Sequence, residues 1–122
     1  MKPRNWEQLI EEWEKGYTLA LSTGTARWIE AFAALRETIS YVRAQFSFES
    51  VEPMISLGAL ALHTSNRSII LYISRETLGM PCHVYLHNEK TSATFDEVVV
   101  DLDTLVPTLK NYLVKVTDGV LT

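Results

Sequence analysis

Between Ile55 and Val100 the chain reads as four strand-like runs separated by three short turn signals. No other feature limits the fold as much. The runs are Ile55–His63, Ser68–Ser74, Cys82–Asn88 and Ala93–Val100. Between them lie Thr64-Ser65-Asn66-Arg67, residues 75–81 with Gly79, and Glu89-Lys90-Thr91-Ser92. Connections this short join antiparallel neighbours, because parallel strands need a crossover of a dozen or more residues. The stretch is therefore expected to form a four-stranded antiparallel meander. Ser68–Ser74 is apolar on both faces, with Ile69, Leu71 and Ile73 on one and Ile70 and Tyr72 on the other. Such a strand is expected to be central or covered on both sides. Gly58, inside the first run, marks a bulge or a close backbone approach.

Helical patterns flank the meander. Asn5 is placed to cap a helix, with Gln8 three residues on to complete a capping box and Glu7 to complement the helix dipole. Trp6, Leu9, Ile10, Trp13 and Tyr17 then recur at helical spacing. Gly16 leaves two continuations, a cap followed by a short strand over Tyr17–Leu21, or a helix to about Leu21. The helix is preferred, because Tyr17 and Ala20 extend the same stripe and an interior glycine costs only ~1 kcal/mol. After the turn Ser22-Thr23-Gly24-Thr25 comes the most regular stripe, Trp28, Phe32, Leu35, Ile39, Val42 and Phe46. It predicts a helix from about Ala26 to Phe46, antiparallel to the first as an αα-hairpin. Residues 47–53 form a connection. Leu102, Leu105, Val106, Leu109, Tyr112, Leu113 and Val116 predict a last helix capped by Asp103 or Thr104, with Pro107 in its first turn. Asp118-Gly119 is expected to end it.

The expectation is one α+β domain over residues 1–122, in the order α-α-β-β-β-β-α. Leu35, Ile39, Leu57, Ile69, Leu71, Val84, Leu109 and Leu113 should share its core. With 122 residues, 47% hydrophobic and 21% charged, the chain has the composition of an ordinary globular domain.

Charge and cysteine usage narrow the function classes. The net charge is −4 and the sequence pI about 5.3. The eleven Lys and Arg are scattered, and Arg43, Arg67 and Arg75 stand alone in sequence. Nucleic acid is not an expected partner, because non-specific affinity depends on clustered cations. No apolar run approaches the ~20 residues of a membrane helix, so a membrane is not expected either. Cys82 is the one cysteine, so no intrachain disulfide forms, which fits a reducing compartment. The expected location is the cytoplasm.

The residues capable of chemistry also have simpler structural roles. His83 and His87 share a strand face with Tyr85, but four residues of strand separate them by ~13 Å. One metal ion with ligand bonds near 2 Å cannot easily take both, so no metal site and no cofactor are expected. Cys82 and His83 point to opposite strand faces, which argues against a nucleophile–base dyad. Asp96 and Glu97 alternate across a strand in the same way, and Asp101 and Asp103 suit a helix start. Ser22-Thr23-Gly24-Thr25 lacks the glycines and lysine of a phosphate loop. Trp6, Trp13 and Trp28 are large aromatics of the kind that anchor partners when exposed.

These readings converge on a non-enzymatic protein-interaction module, of adaptor, chaperone-like or immunity type. Trp6 and Trp13 are the partner-binding candidates. A twofold homodimer is expected, sealed by unprotected sheet edges or by the aromatic first helix. The alternative is a small-ligand domain or enzyme, its pocket between helices and sheet lined by His83, Tyr85 and His87.

Overall fold

A computed structural model describes residues 2–56, 58–64 and 68–117. Among these residues three helices precede a five-stranded sheet, and a fourth follows it. Helix α1 (Trp6–Thr23) starts at Asn5, whose side chain accepts from the Gln8 N–H at 2.8 Å. The Gln8 side chain reaches past Asn5 and accepts from the Arg4 N–H instead. Tyr17–Leu21 is helical, as the continuing stripe implies. Helix α2 (Ala26–Gln45) starts at Thr25, which accepts from the Trp28 N–H. The two helices approach closely where Gly16 faces Phe32. A Cβ on Gly16 would stand 2.7 Å from the Phe32 ring, so the glycine serves packing there. A short helix, α3 (Phe48–Val51), turns within the 47–53 connection, where the sequence pattern implied no element.

The sheet corrects the strand count. The run Ile55–His63 is a hairpin of two strands, β1 (Pro53–Ser56) and β2 (Ala59–His63). Ser56 pairs with Ala59, and Gly58 lies at the turn between the two strands. Gly58 adopts φ +81° there, and a Cβ on it would meet the Trp28 ring at 2.8 Å. Gly58→Ala meets both penalties at once, and a loss of about 1–3 kcal/mol is expected. Urea unfolding of that variant checks it. An unshifted midpoint would mean that neither the backbone nor Trp28 is strained.

The remaining strands are β3 (Ile69–Ser74), β4 (Cys82–Asn88) and β5 (Ala93–Val100). All five lie in chain order and every neighbouring pair is antiparallel. Strand β3 is central, as its two apolar faces imply. The edges are β1 and β5, and both carry features that discourage pairing with another chain. Strand β1 spans four residues and opens on Pro53, which has no N–H to offer. Strand β5 carries Asp96 and Glu97 and an irregularity where Phe95 falls out of register with β4. The expectation of unprotected edges rested on four strands without a proline, and the added strand overturns it.

Helix α4 (Leu102–Thr117) begins directly after Asp101, one of the two aspartates expected at the helix start, and ahead of the cap positions Asp103 and Thr104. Pro107 therefore lies beyond the first turn, and it has no N–H to give the Asp103 carbonyl one turn back.

One core joins the four helices to one face of the sheet. Leu60, Leu62, Ile69, Leu71, Ile73, Val84 and Leu86 supply the sheet side. Leu9, Leu35, Ile39, Val42, Val51, Leu105 and Leu109 supply the helix side. Of the expected core residues, Leu113 is partly buried against this cluster. Leu57, residues 65–67 of the second turn and the Asp118-Gly119 helix end lie outside the described residues.

Candidate functional site: the open face of the sheet

Alternation along each strand sends every second side chain away from the helices. The registers align those side chains in rows across the sheet. Ala61 pairs with Met54 and Tyr72, Tyr72 with Tyr85, and Tyr85 with Glu97. A second row runs His63, Ile70, His87 and Thr94. A third places His83 between Ser74 and Val99.

At the centre of this face, four rings form a continuous ladder over β3 and β4. Tyr72 and Tyr85 stack with centroids 5.2 Å apart at 16°. His87 meets the Tyr72 ring edge-on at 6.0 Å, and His83 lies 5.1 Å from Tyr85. At one end His83 Nε2 is 3.1 Å from Glu97 Oε2. On the other flank His63 Nε2 contacts Met54 Sδ at 3.2 Å. The phenols stay neutral well beyond physiological pH. Burial raises the Tyr72 hydroxyl above its usual value, with the Glu89 charge adding to it. Burial likewise raises Tyr85, helped by Tyr72. The ladder is thus an aromatic surface with hydroxyl and imidazole groups that can exchange hydrogen bonds.

His83, Tyr85 and His87 are brought together on this face, with Tyr72 added from the neighbouring strand. They do not line a pocket between the layers. Their alternation partners Cys82, Val84 and Leu86 occupy that side and are buried in the core. Tyr72 escaped the sequence reading because only the cross-strand register sets it against Tyr85.

The two tryptophans singled out from sequence sit elsewhere. Trp6 is 8% exposed, packs edge-on against Phe48, and donates its indole N–H to the Phe46 carbonyl at 3.3 Å. Trp13 is partly buried, stacks on Tyr17, and donates to the Phe32 carbonyl at 2.8 Å. Both tie the first helix to elements beside it. Trp28 is the exposed one, at 41%, beside Gly58, Arg75 and Glu76.

The remaining candidates for chemistry are dispersed. Cys82 is buried on the helix side while His83 is on the open side. Asp96 lies beside Tyr112 of α4, whereas Glu97 faces His83. Among the described residues no group of three or more His, Cys, Asp or Glu is arranged to hold a metal ion. Among them, too, no helix is long and apolar enough to cross a membrane. No protein-family model, curated protein or solved structure matches this chain.

Burial, the largest influence, pushes the Cys82 thiol up, and Arg75 only partly opposes it. A thiol is nucleophilic only as the thiolate, so Cys82 should be inert in the native protein. Its labelling by a thiol reagent at pH 7.5 should be more than about 100-fold slower than in the denatured chain. Equal rates would place the sulfur at the surface.

Proposed function

We propose that this protein is a non-enzymatic protein-interaction module whose docking surface is the open face of its sheet. The observation that carries the reading is the four-ring ladder of His83, Tyr85, Tyr72 and His87 on the face that the helices leave bare. Aromatic side chains are enriched where proteins bind one another, and charged side chains are depleted at the centre of such patches. The ladder has that composition, and the carboxylates that reach it, Glu97 at His83 and Glu89 towards Tyr72, stand on the edge strand and just past the end of β4. Neutral tyrosines bring large contact area at low entropic cost and keep a hydroxyl for a specific hydrogen bond. The geometry of β3 and β4 fixes all four rings on regular strands, so little ordering remains to be done on binding.

The dispersal of Cys82, His83, Asp96 and Glu97 over two faces supports a binding role over catalysis, since nucleophile and base must meet in space. Two concave sites among the described residues lie off the ladder. One is bounded by Phe48, Glu52, Met54 and His63, another by Trp28, Gly58 and Arg75.

A photoreactive phenylalanine analogue placed at Tyr72 tests the reading in the cells that make the protein. The expected result is a discrete covalent protein adduct from position 72 and none from position 18 on α1. Adducts from position 18 alone, or from neither position, would move the docking surface off the sheet or remove it.

A further inference from the structure

The occupant of the open face can be specified, and this step rests on the docking reading above. We infer that it is a second copy of the same chain, packed sheet to sheet around a twofold axis. Three features of the face favour a copy over a different partner.

The first is charge. A twofold axis sets each region of a surface against its own image, so any charge near the axis meets a like charge. The rows Met54–Ala61–Tyr72–Tyr85 and His63–Ile70–His87 hold no Asp, Glu, Lys or Arg. Two carboxylates stand near these rows, Glu97 on edge strand β5 beside His83 and Glu89 just past the end of β4, whose charge reaches Tyr72, and both are exposed at the margin of the face. A face neutral at its centre and charged at its margin is compatible with itself.

The second is area. Five strands at ~4.8 Å spacing and about six residues at ~3.3 Å rise give a footprint of roughly 24 by 20 Å. Two such faces bury about 1,000 Å² before side-chain relief is counted, and a specific interface needs about that much. A bound peptide strand would cover about one fifth of the width and leave most of the ladder in water.

The third is the state of the edges. Pro53 and the short β1 close one edge, and the β5 irregularity with Asp96 and Glu97 blunts the other. Self-pairing by edge extension is therefore disfavoured, and Trp6 and Trp13 of α1 are engaged inside the molecule. The open face is the broad surface left for a copy. Sheets stacked this way lie ~10 Å apart with strands crossing near −30°. The Tyr72–Tyr85 pair then stands at the middle of the seam.

Sedimentation or light scattering of the purified full chain, from about 1 to 100 µM, reads the result. The expected mass is twice 13.9 kDa. His87→Glu places a carboxylate and its image within the seam and should weaken association by at least ~100-fold. Tyr72→Lys is the second variant should His87→Glu fail to fold, with circular dichroism as the check on both. Leu19→Glu, on the exposed side of α1, should stay dimeric. A strictly monomeric wild type overturns the self-pairing. So does a dimer that survives both sheet variants and is broken by Leu19→Glu. A monomer that still gives a position-72 adduct with a different protein would overturn only the copy and leave the docking face standing.

Discussion

Leu71→Ala should lower stability by ~2–5 kcal/mol, the largest single effect expected in this protein. Leu71 sits on the central strand, fully buried, between Leu62 on β2 and Leu86 on β4. Two neighbouring strands therefore wall the space its side chain fills, with the helix layer above. Truncation loses the transfer free energy of the removed carbons. It also leaves a cavity that paired strands cannot easily close, because their backbone bonds fix the spacing. The melting midpoint should fall on the order of 10 °C. An unchanged midpoint would take Leu71 out of the core, and with it the register that fixes the ring ladder on the opposite face.

The second large effect belongs to an ion pair. The Arg75 side chain is 3% exposed, and its Nη1 donates to Glu37 Oε1 at 2.6 Å. Its Nε donates to the Met80 carbonyl at 2.9 Å, which holds the β3–β4 connection against the end of β3. Removing Glu37 leaves a guanidinium buried with its main counter-charge gone. Breaking a fully buried pair costs several kcal/mol, but Glu37 is 42% exposed and water partly screens it. Glu37→Ala should therefore cost about 1–3 kcal/mol. The double variant Arg75→Met with Glu37→Leu should recover part of that loss, since neither charge then needs solvation. Urea midpoints of the three proteins decide it. A Glu37→Ala protein as stable as wild type would mean that water reaches Arg75.

That pair shows where sequence reading stops. Arg75 stands alone in the chain, and its partner lies 38 positions away on α2. Nothing local distinguishes it from a solvated loop arginine. Arg43 and Glu7 pair across α2 and α1 for the same reason, at 2.8 Å and at the surface. The helices and strands were legible because periodicity is local. The stripe from Trp28 to Val42 holds helical spacing over four turns, which outweighs an alternating strand pattern over Ile39–Phe48, and alternation in Cys82–Asn88 puts Val84 and Leu86 on one face and His83, Tyr85 and His87 on the other.

The hairpin at Gly58 was hidden by composition. Gly58 takes the positive φ that a tight hairpin asks for, but in the sequence it follows Leu57 rather than the Asn or Asp that usually signals one. Ile55–His63 therefore looked like one strand. The helix start after Asp101 was obscured by three neighbouring candidates for the cap. Three members of the ladder were visible as one strand face, but Tyr72 needed the register. The register follows from loop lengths and from which face is buried, neither of which a single run reveals.

The central claim is that the ladder face is covered when the protein works. Hydroxyl-radical footprinting compares the labelling of Tyr72 and Tyr85 in intact cells with that of dilute purified protein. Tyr41, exposed on α2, serves as the internal reference. The account predicts that both ladder tyrosines are protected several-fold in cells relative to Tyr41. Equal labelling of all three in both settings would mean that the open face stays open, and would contradict it.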